Sequence, residues 1–533
     1  MKKILFLFAA SSISFFTNAQ NLGRITGSLQ YNQNFYQRDS TIGASGNPLY
    51  DNRLSGGEGW LNLNYTNNEM GLSSQFRLDI FNNSNLHNPI SPYSAQGIGF
   101  WNVSKQFEKL TVTGGYFYDQ FGSGIVFRAY EDRGLGIDNA MYGLQLKYKL
   151  FNDKIFIKAF TGQQKNLFST YAPIVKGINA ESFFDANQVQ FSPGISIVNR
   201  TLDDANFNAI KQEIINMTSY DTKFIPKYNT YAYSLYNTTN FGNFSWYAEY
   251  AGKTSEAIRD YNGNLINKPG SIIFSTLNYS VKGFGATVQY KRTDYFKFRI
   301  DPNENEVLLK GMVSFQPPIS QQNSLRLLSR YMPATQELGE QAAEADVYWN
   351  PAKGYKLRGN YTHIDDNNGG FLYQEGYGDI EIKKLRKSTV DLGLQAVDYN
   401  LAVYQGHPGR PIVHTFVPFA EFSHKFSDTK SIRTELQYMF CKEDYGSWAY
   451  ALVEYSIAPH YSFAVSDMYN TVVSQDNPHP QAHYYNFFAS YTEHSTRFTV
   501  AYVKQVAGVV CTGGVCRQEP AFSGVKMSIS TVF

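Results

Sequence analysis

From about Arg24 onward the chain repeats one pattern: apolar side chains at every second position over short runs, each run ended by turn-forming residues. The last run shows it most plainly. Val525, Met527, Ile529, Thr531 and Phe533 form one mostly apolar file, with Lys526, Ser528 and Ser530 between them, the period of two that a strand imposes. The pattern recurs in Leu72, Phe76, Leu78 and Ile80 against Gln75, Arg77 and Asp79, in Leu144, Leu146, Tyr148 and Leu150 against Gln145, Lys147 and Lys149, and in Phe244, Trp246 and Tyr250. A soluble sandwich would alternate too, so the alternation predicts strands without yet placing them.

The spacing of turns decides the architecture. Short polar turns are predicted at Thr66 to Glu69, Gln106 to Lys109, Phe151 to Lys154, Thr239 to Gly242, Val281 to Gly283, Asn350 to Gly354, Arg386 to Ser388, Ser427 to Lys430, Ala458 to His460 and Thr492 to Ser495. They alternate with long connections, as short periplasmic turns alternate with long extracellular loops in an outer-membrane barrel. Ten such turns and eleven loops give an all-β, transmembrane antiparallel β-barrel of about 22 strands, within a range of about 16 to 24. The two largest loops are expected near residues 163–228 and 293–344. The first carries a predicted helix over Asp203 to Met217, capped by Asp203 or Asp204, with Phe207, Ile210, Ile214 and Ile215 near one stripe. Its plain reading is a lid or plug element.

Composition agrees with strands that meet lipid on one face and water on the other. There are 40 Tyr and 40 Phe, charged residues are only 17%, and no run of about 18 apolar residues follows the leader to make a spanning helix. Met1-Lys2-Lys3, an apolar run from Ile4 to Phe16 and then Thr17, Asn18 and Ala19 have the layout of a secretory signal over 1–19, leaving 20–533 as a single barrel domain. No Cys follows the cleavage site, so a lipid anchor is not expected. The first strand begins close behind the signal, with no space for the N-terminal plug domain of a TonB-dependent transporter. A net charge of +2 lacks the basic field of a nucleic-acid binder.

Candidate chemistry is sparse. In the glycine-rich stretch Asp119 to Asn139, five charges, Arg128, Glu131, Asp132, Arg133 and Asp138, lie close together. Turned inward, they would either set a field across a pore or form an ion-pair network holding the loop to the wall; both readings place the segment in the lumen. Arg77, Asp79, Glu249, Arg433, Glu435 and Glu454 occupy faces opposite apolar ones and are expected to point inward. Cys511 and Cys516 flank Thr-Gly-Gly-Val and suit a small disulfide ring in an oxidising compartment; two thiolates alone make a poor zinc site. Cys441 is left over. The stretch Asp476 to His483 collects ligand-type residues on proline-rich, unfixed geometry, and no metal or cofactor is expected there. No hydrolase elbow, phosphate loop or paired-histidine helix is present, so no enzyme activity is expected.

The Asp119 to Asn139 segment, the Cys511-Thr-Gly-Gly-Val-Cys516-Arg517 loop followed by Pro520, and the final Phe533 together resemble a Bacteroidota outer-membrane β-barrel family of unknown function, over most of the mature chain. The resemblance implies location and fold, but the family carries no assigned catalytic or binding residues. Phe533 itself resembles the terminal aromatic that the outer-membrane assembly machinery reads, so that machinery and outer-membrane lipid are the expected partners. Two functions remain open: a porin-like channel passing or gating small polar solutes, and a sealed barrel serving as scaffold or accessory subunit of an outer-membrane secretion or assembly complex with a membrane-protein partner.

Overall fold

The computed structural model describes residues 23–89, 91–303, 310–406, 408–512 and 515–533. The expected signal at 1–19 lies outside them. Twenty-four antiparallel strands close into one barrel. The first twelve are β1 (Arg24–Tyr36), β2 (Ser55–Asn67), β3 (Leu72–Ser84), β4 (Tyr93–Gln106), β5 (Leu110–Phe117), β6 (Met141–Leu150), β7 (Ile155–Asn166), β8 (Ser169–Ser182), β9 (Val189–Thr201), β10 (Asn229–Phe241), β11 (Phe244–Arg259) and β12 (Leu265–Val281). The second twelve are β13 (Phe284–Asp294), β14 (Gly339–Trp349), β15 (Tyr355–Asp365), β16 (Phe371–Ile382), β17 (Ser388–Asn400), β18 (Ile412–Lys425), β19 (Lys430–Cys441), β20 (Ser447–Ile457), β21 (Tyr461–Val472), β22 (His483–Glu493), β23 (Thr496–Gln505) and β24 (Phe522–Val532).

Each strand pairs with its sequence neighbours, and β24 returns to β1 in the register Ser28↔Val532 through Tyr36↔Gly524. At this seam Gly27 and Phe533 exchange both backbone hydrogen bonds, at 2.7 and 2.9 Å. Closure leaves no strand edge in the barrel wall, the condition for putting a sheet into lipid. No helix among the described residues is long and apolar enough to cross a membrane.

The ten short turns fall on one rim. The count rises from about 22 to 24 because the expected loop over 163–228 is not one loop: it contains β8 and β9, joined near 183–188 at the short-turn rim. The alternation was hidden there. Pro173, Gly177, Pro193 and Gly194 sit inside these strands, where they read as turn residues, and Lys176 interrupts the apolar file Ile174 and Ile178. What remains of that loop is residues 202–228, carrying α1 (Asp204–Asn216), whose N-cap Asp203 accepts from the Ala205 N–H at 3.1 Å. Ile210 and Ile214 pack with Leu202, Ala257 and Leu265, Phe207 stacks on Tyr228 at 3.8 Å, and Ile215 faces water. The helix therefore covers the rim above β11 and β12.

The outer face is apolar. Phe76, Ile80, Leu144, Tyr148, Trp246, Tyr250, Leu392, Phe463 and Met527 all project outward and are exposed. Covering roughly half of each such side chain with lipid is worth about 1 kcal/mol apiece at ~25 cal/mol per Å², and a whole ring of them cannot be left in water. Inward, the same strands carry Arg77, Asp79, Gln145, Glu249 and Glu435, all buried. Burial on the lumen side of so wide a barrel means that something fills it.

Candidate functional site: the filled lumen

Two segments fold into the barrel. One, 118–140, joins β5 to β6; the other, described over 295–303 and 310–338, lies between β13 and β14. Phe121, Ile125, Val126 and Phe127 of the first and Phe296, Phe298, Ile300, Val313, Leu327 and Leu328 of the second are almost fully buried, in one cluster with wall residues such as Phe160, Val198, Ile272, Tyr373, Val417 and Trp448. The two segments also bind each other. Arg128 N–H donates to the Val313 carbonyl and Phe315 N–H to that of Gly124, both at 3.0 Å, and the Asn139 amide donates to the Met312 carbonyl at 3.1 Å. They form one plug body. Gly124, at φ +98°, adopts a backbone conformation that side-chain-bearing residues rarely take.

Polar anchors fix the plug to the wall. Arg77 on β3 grips Asp79 with two bonds, at 2.7 and 2.9 Å, and reaches Glu131 at 2.8 Å and Asp138. Lys165 of β7 and the Tyr118 hydroxyl also meet Asp138. Arg133 pairs with Glu131 at 2.8 Å and donates to Gln30 at 2.9 Å. Three cations thus face three carboxylates. Burial opposes ionisation of Asp138, but Lys165 and Arg77 outweigh it and hold the carboxyl below the usual range. A second anchor joins Asp119 to Lys158 at 3.0 Å and to Gln145 at 2.6 Å. A third sets Ser123 on Glu249 of β11. On the other segment, Leu327 N–H donates to Gln437 at 2.7 Å, Asn323 to Glu375 at 2.9 Å, and Tyr331 to Asp444 at 2.7 Å.

Of the five charges singled out in the sequence, only Glu131, Arg133 and Asp138 join the ion network. The Arg128 guanidinium lies between the rings of Tyr130 and Phe315, at 4.4 and 4.0 Å, and Asp132 accepts the Leu135 N–H, capping a turn. The network is instead completed by Arg77, Asp79 and Lys165, which come from the wall. A charge-balanced, buried cluster of this kind pins a loop; it does not present an open field across a pore. Cys511 and Cys516 are directly opposed in the hairpin formed by residues 508–512 and 515–519, although the side chain of Cys511 is outside the described residues. Cys441 is free and buried, its thiol donating to the Glu443 carbonyl. His479 and His483 go to different partners, the Asn477 carbonyl and Asp467. Among the described residues no three His, Cys, Asp or Glu side chains converge as metal ligands.

Space remains above the plug. A cavity of about 700 Å³ lies under the long-loop rim, floored by Arg326, Arg330 and Tyr331 and walled by Arg410, Asp444 and Tyr445. Sequence reading missed these residues. The one signal was Arg-Leu-Leu-Ser-Arg at 326–330, two cations four apart in an apolar setting. On the short-turn side of the plug the lumen wall is again wet: Arg433, about one-third exposed, pairs with Glu421, Glu435 and Glu454, and Arg358 with Asp379 and Asp391.

A family model described as "Family of unknown function (DUF6029)" matches residues 1–369 and 364–533. No curated protein matches. Among solved structures, the translocation pore of the P pilus usher PapC aligns at 8% identity and a TM-score of 0.47, covering 96% of this chain and 99% of that one. The siderophore receptor PirA from Pseudomonas aeruginosa aligns at 9% and 0.43, over 96% and 80%. OccK8 (OprE) of Pseudomonas aeruginosa aligns at 10% and 0.35, over 71% and 97%. Such distant likeness carries nothing about solute or partner.

Proposed function

The chain belongs to this family of unknown function, which supplies no activity, and we propose from the geometry of the lumen that it is an outer-membrane channel, held shut by its own loops, that passes or gates small polar solutes. The observation that carries the reading is a wet lumen on both sides of one plug: the cavity of about 700 Å³ under the long loops, and the partly exposed Arg433 and Arg358 clusters near the short turns. In this reading the leader at 1–19 directs export, the apolar belt sits in the outer membrane with the long loops outside, and Phe533 at the seam with Gly27 is what the assembly machinery reads. Cys511 and Cys516 close a disulfide, since opposed strand positions bring Cα atoms within the span of such a bond.

A second reading, a sealed scaffold for a membrane-protein partner, is favoured by one specific feature, the apolar packing of Phe121, Phe127, Phe296 and Phe298 against the wall. Single-channel recording in planar bilayers separates the two. Brief openings in the wild type, lengthened when a plug anchor is removed, support the channel. Silence from folded wild type and anchor variants alike, with a stoichiometric partner retained in mild detergent, replaces it with the scaffold.

A further inference from the structure

We propose that the cavity under the long-loop rim is a binding site for a small organic anion bearing a carboxylate or phosphate, received by Arg326 and Arg330. The proposal rests on the barrel reading of the chain and names the solute class of its lumen, but it does not require that the solute pass through.

The two guanidinium groups come from one turn of the plug, in which Ser329 N–H donates to the Leu325 carbonyl at 3.0 Å and Arg330 N–H to that of Leu327 at 3.3 Å. A four-residue spacing on such a turn sets both side chains on the same side. Among the described residues, neither Arg326 nor Arg330 meets a carboxylate within 4.0 Å, unlike Arg77, Arg133, Arg200, Arg259, Arg299, Arg358 and Arg433; Arg128 and Arg517 share that lack, but the first lies between two rings and the second donates to the Gly134 and Asn85 carbonyls. The Arg330 Nε is buried with no hydrogen-bond acceptor. The Nε atoms of Arg200 and Arg517 are buried in the same way, so what sets Arg326 and Arg330 apart is that they line open cavity without a carboxylate partner.

The surroundings set the charge and shape of that ligand. Arg410 adds a third cation to the lining, against the two carboxylates Asp444 and Glu519, which accept from the Tyr331 hydroxyl at 2.7 Å and the Gln505 amide at 2.8 Å, so the lining keeps a net positive charge. Arg330 is held with its guanidinium over the rings of Trp448 and Tyr445, at 4.8 and 5.0 Å, so its orientation exists before any ligand arrives. Arg326 has surface open to the cavity, yet the enclosing lumen, and then Arg330 beside it, lower its pKa from the ordinary value. An anion placed between the two groups offsets their mutual repulsion. A forked guanidinium pair matches the planar oxygens of a carboxylate or phosphate, and the Tyr445 ring offers a flat apolar surface to the rest of the molecule. The volume admits a solute of monosaccharide to disaccharide size.

Calorimetric titration of the full-length protein in detergent tests this, with galacturonate and glucose 6-phosphate as anionic probes and galactose as the neutral control. Wild type is expected to bind at least one anion and not galactose, with affinity falling as salt rises, and Arg326→Gln to weaken that binding by about ten-fold or more, the loss of one charge-assisted contact. Arg326 is exposed to the cavity, so this variant keeps the barrel folded, which heat-modifiable migration on a gel checks. Galactose binding as well as galacturonate, Arg326→Gln binding like wild type, or no heat with either anion overturns the proposal. Anion binding without conductance leaves the site standing and defeats the channel; conductance without anion binding does the reverse.

Discussion

Replacing Arg77 with Met removes the hub of the buried ion network while filling similar volume. The residue is 3% exposed and its guanidinium touches three carboxylates, Asp79, Glu131 and Asp138. Lys165 still neutralises Asp138 and Arg133 still neutralises Glu131, so the group left without a cation is Asp79, 2% exposed. Breaking a buried pair in this way costs about 3–5 kcal/mol. Asp79 lies on the wall and the other two carboxylates on the plug, so the strain is relieved by letting residues 130–139 lift away and water enter. At about 1.4 kcal/mol per tenfold, that cost shifts the docked-to-lifted ratio roughly a hundred- to several-thousand-fold. Hydrogen exchange followed by mass spectrometry reads the change directly. Amides of 130–139 are expected to exchange at least a hundredfold faster, whereas 119–127, fastened independently by Asp119 to Lys158 and by the Phe121 and Phe127 packing, keep their protection. Longer openings in planar bilayers are expected in the same variant. Unchanged exchange across 130–139 in a barrel that retains heat-modifiable migration would falsify the view that Arg77 pins this limb.

The remaining tests probe the same plug from other sides. Gly99 is the bulged residue where the β3 and β4 register shifts, and a Cβ there would stand 1.8 Å from the Asp79 carboxylate; Gly99→Ala is expected to push Asp79 off Arg77 and to reproduce part of the Arg77→Met exchange pattern, and wild-type protection would show that the bulge has slack. Asp132→Asn combined with Arg133→Gln is expected to change ion selectivity little, because Asp132 caps a turn and Glu131 keeps Arg77; a large selectivity change in bilayer recordings would restore a constriction role to these two. His87, in the loop between β3 and β4, is pushed by burial and then by Lys165 down to about 4, so it stays neutral when docked. The undocked loop takes up a proton near 6.5, so docking is at full strength above that pH and loses up to about 3 kcal/mol as pH falls toward 4; protease cleavage of this loop should rise over that window in wild type and not in His87→Gln, and a flat wild-type profile would count against the assignment.

What could be read from the chain, and what could not, follows from which neighbours a residue type reports on. Outward positions face lipid, a uniform solvent, so Phe76, Trp246 and Met527 announce their orientation through period two alone, and the turns between them are punctuated by local chemistry. That was enough to give the barrel and ten of its short turns. The β8 and β9 pair escaped because proline and glycine inside strands carry the same local signature as a turn, and only pairing with β7 and β10 overrides it. The lumen is a different case. An inward Arg77 looks the same in sequence whether it faces water or three carboxylates, since two of its partners arrive from a loop more than fifty residues away.

The plug shows this limit most sharply. Arg128 and Asp132 sit within the same short stretch as Glu131, Arg133 and Asp138, yet the chain's turn sends the first to an aromatic sandwich and the second to a backbone cap. Local charge density therefore pointed to a segment that enters the lumen without showing which wall residues its charges meet. Arg326 and Arg330 make the converse point. Their only mark in sequence is the four-residue spacing of Arg-Leu-Leu-Ser-Arg, and their distinction is relational: they border the cavity and meet no carboxylate within 4.0 Å there. A buried cation that the fold has already paired maintains structure, as Arg77 does. One that lines open space with no carboxylate partner keeps its donors available to a ligand, as Arg326 does toward the cavity.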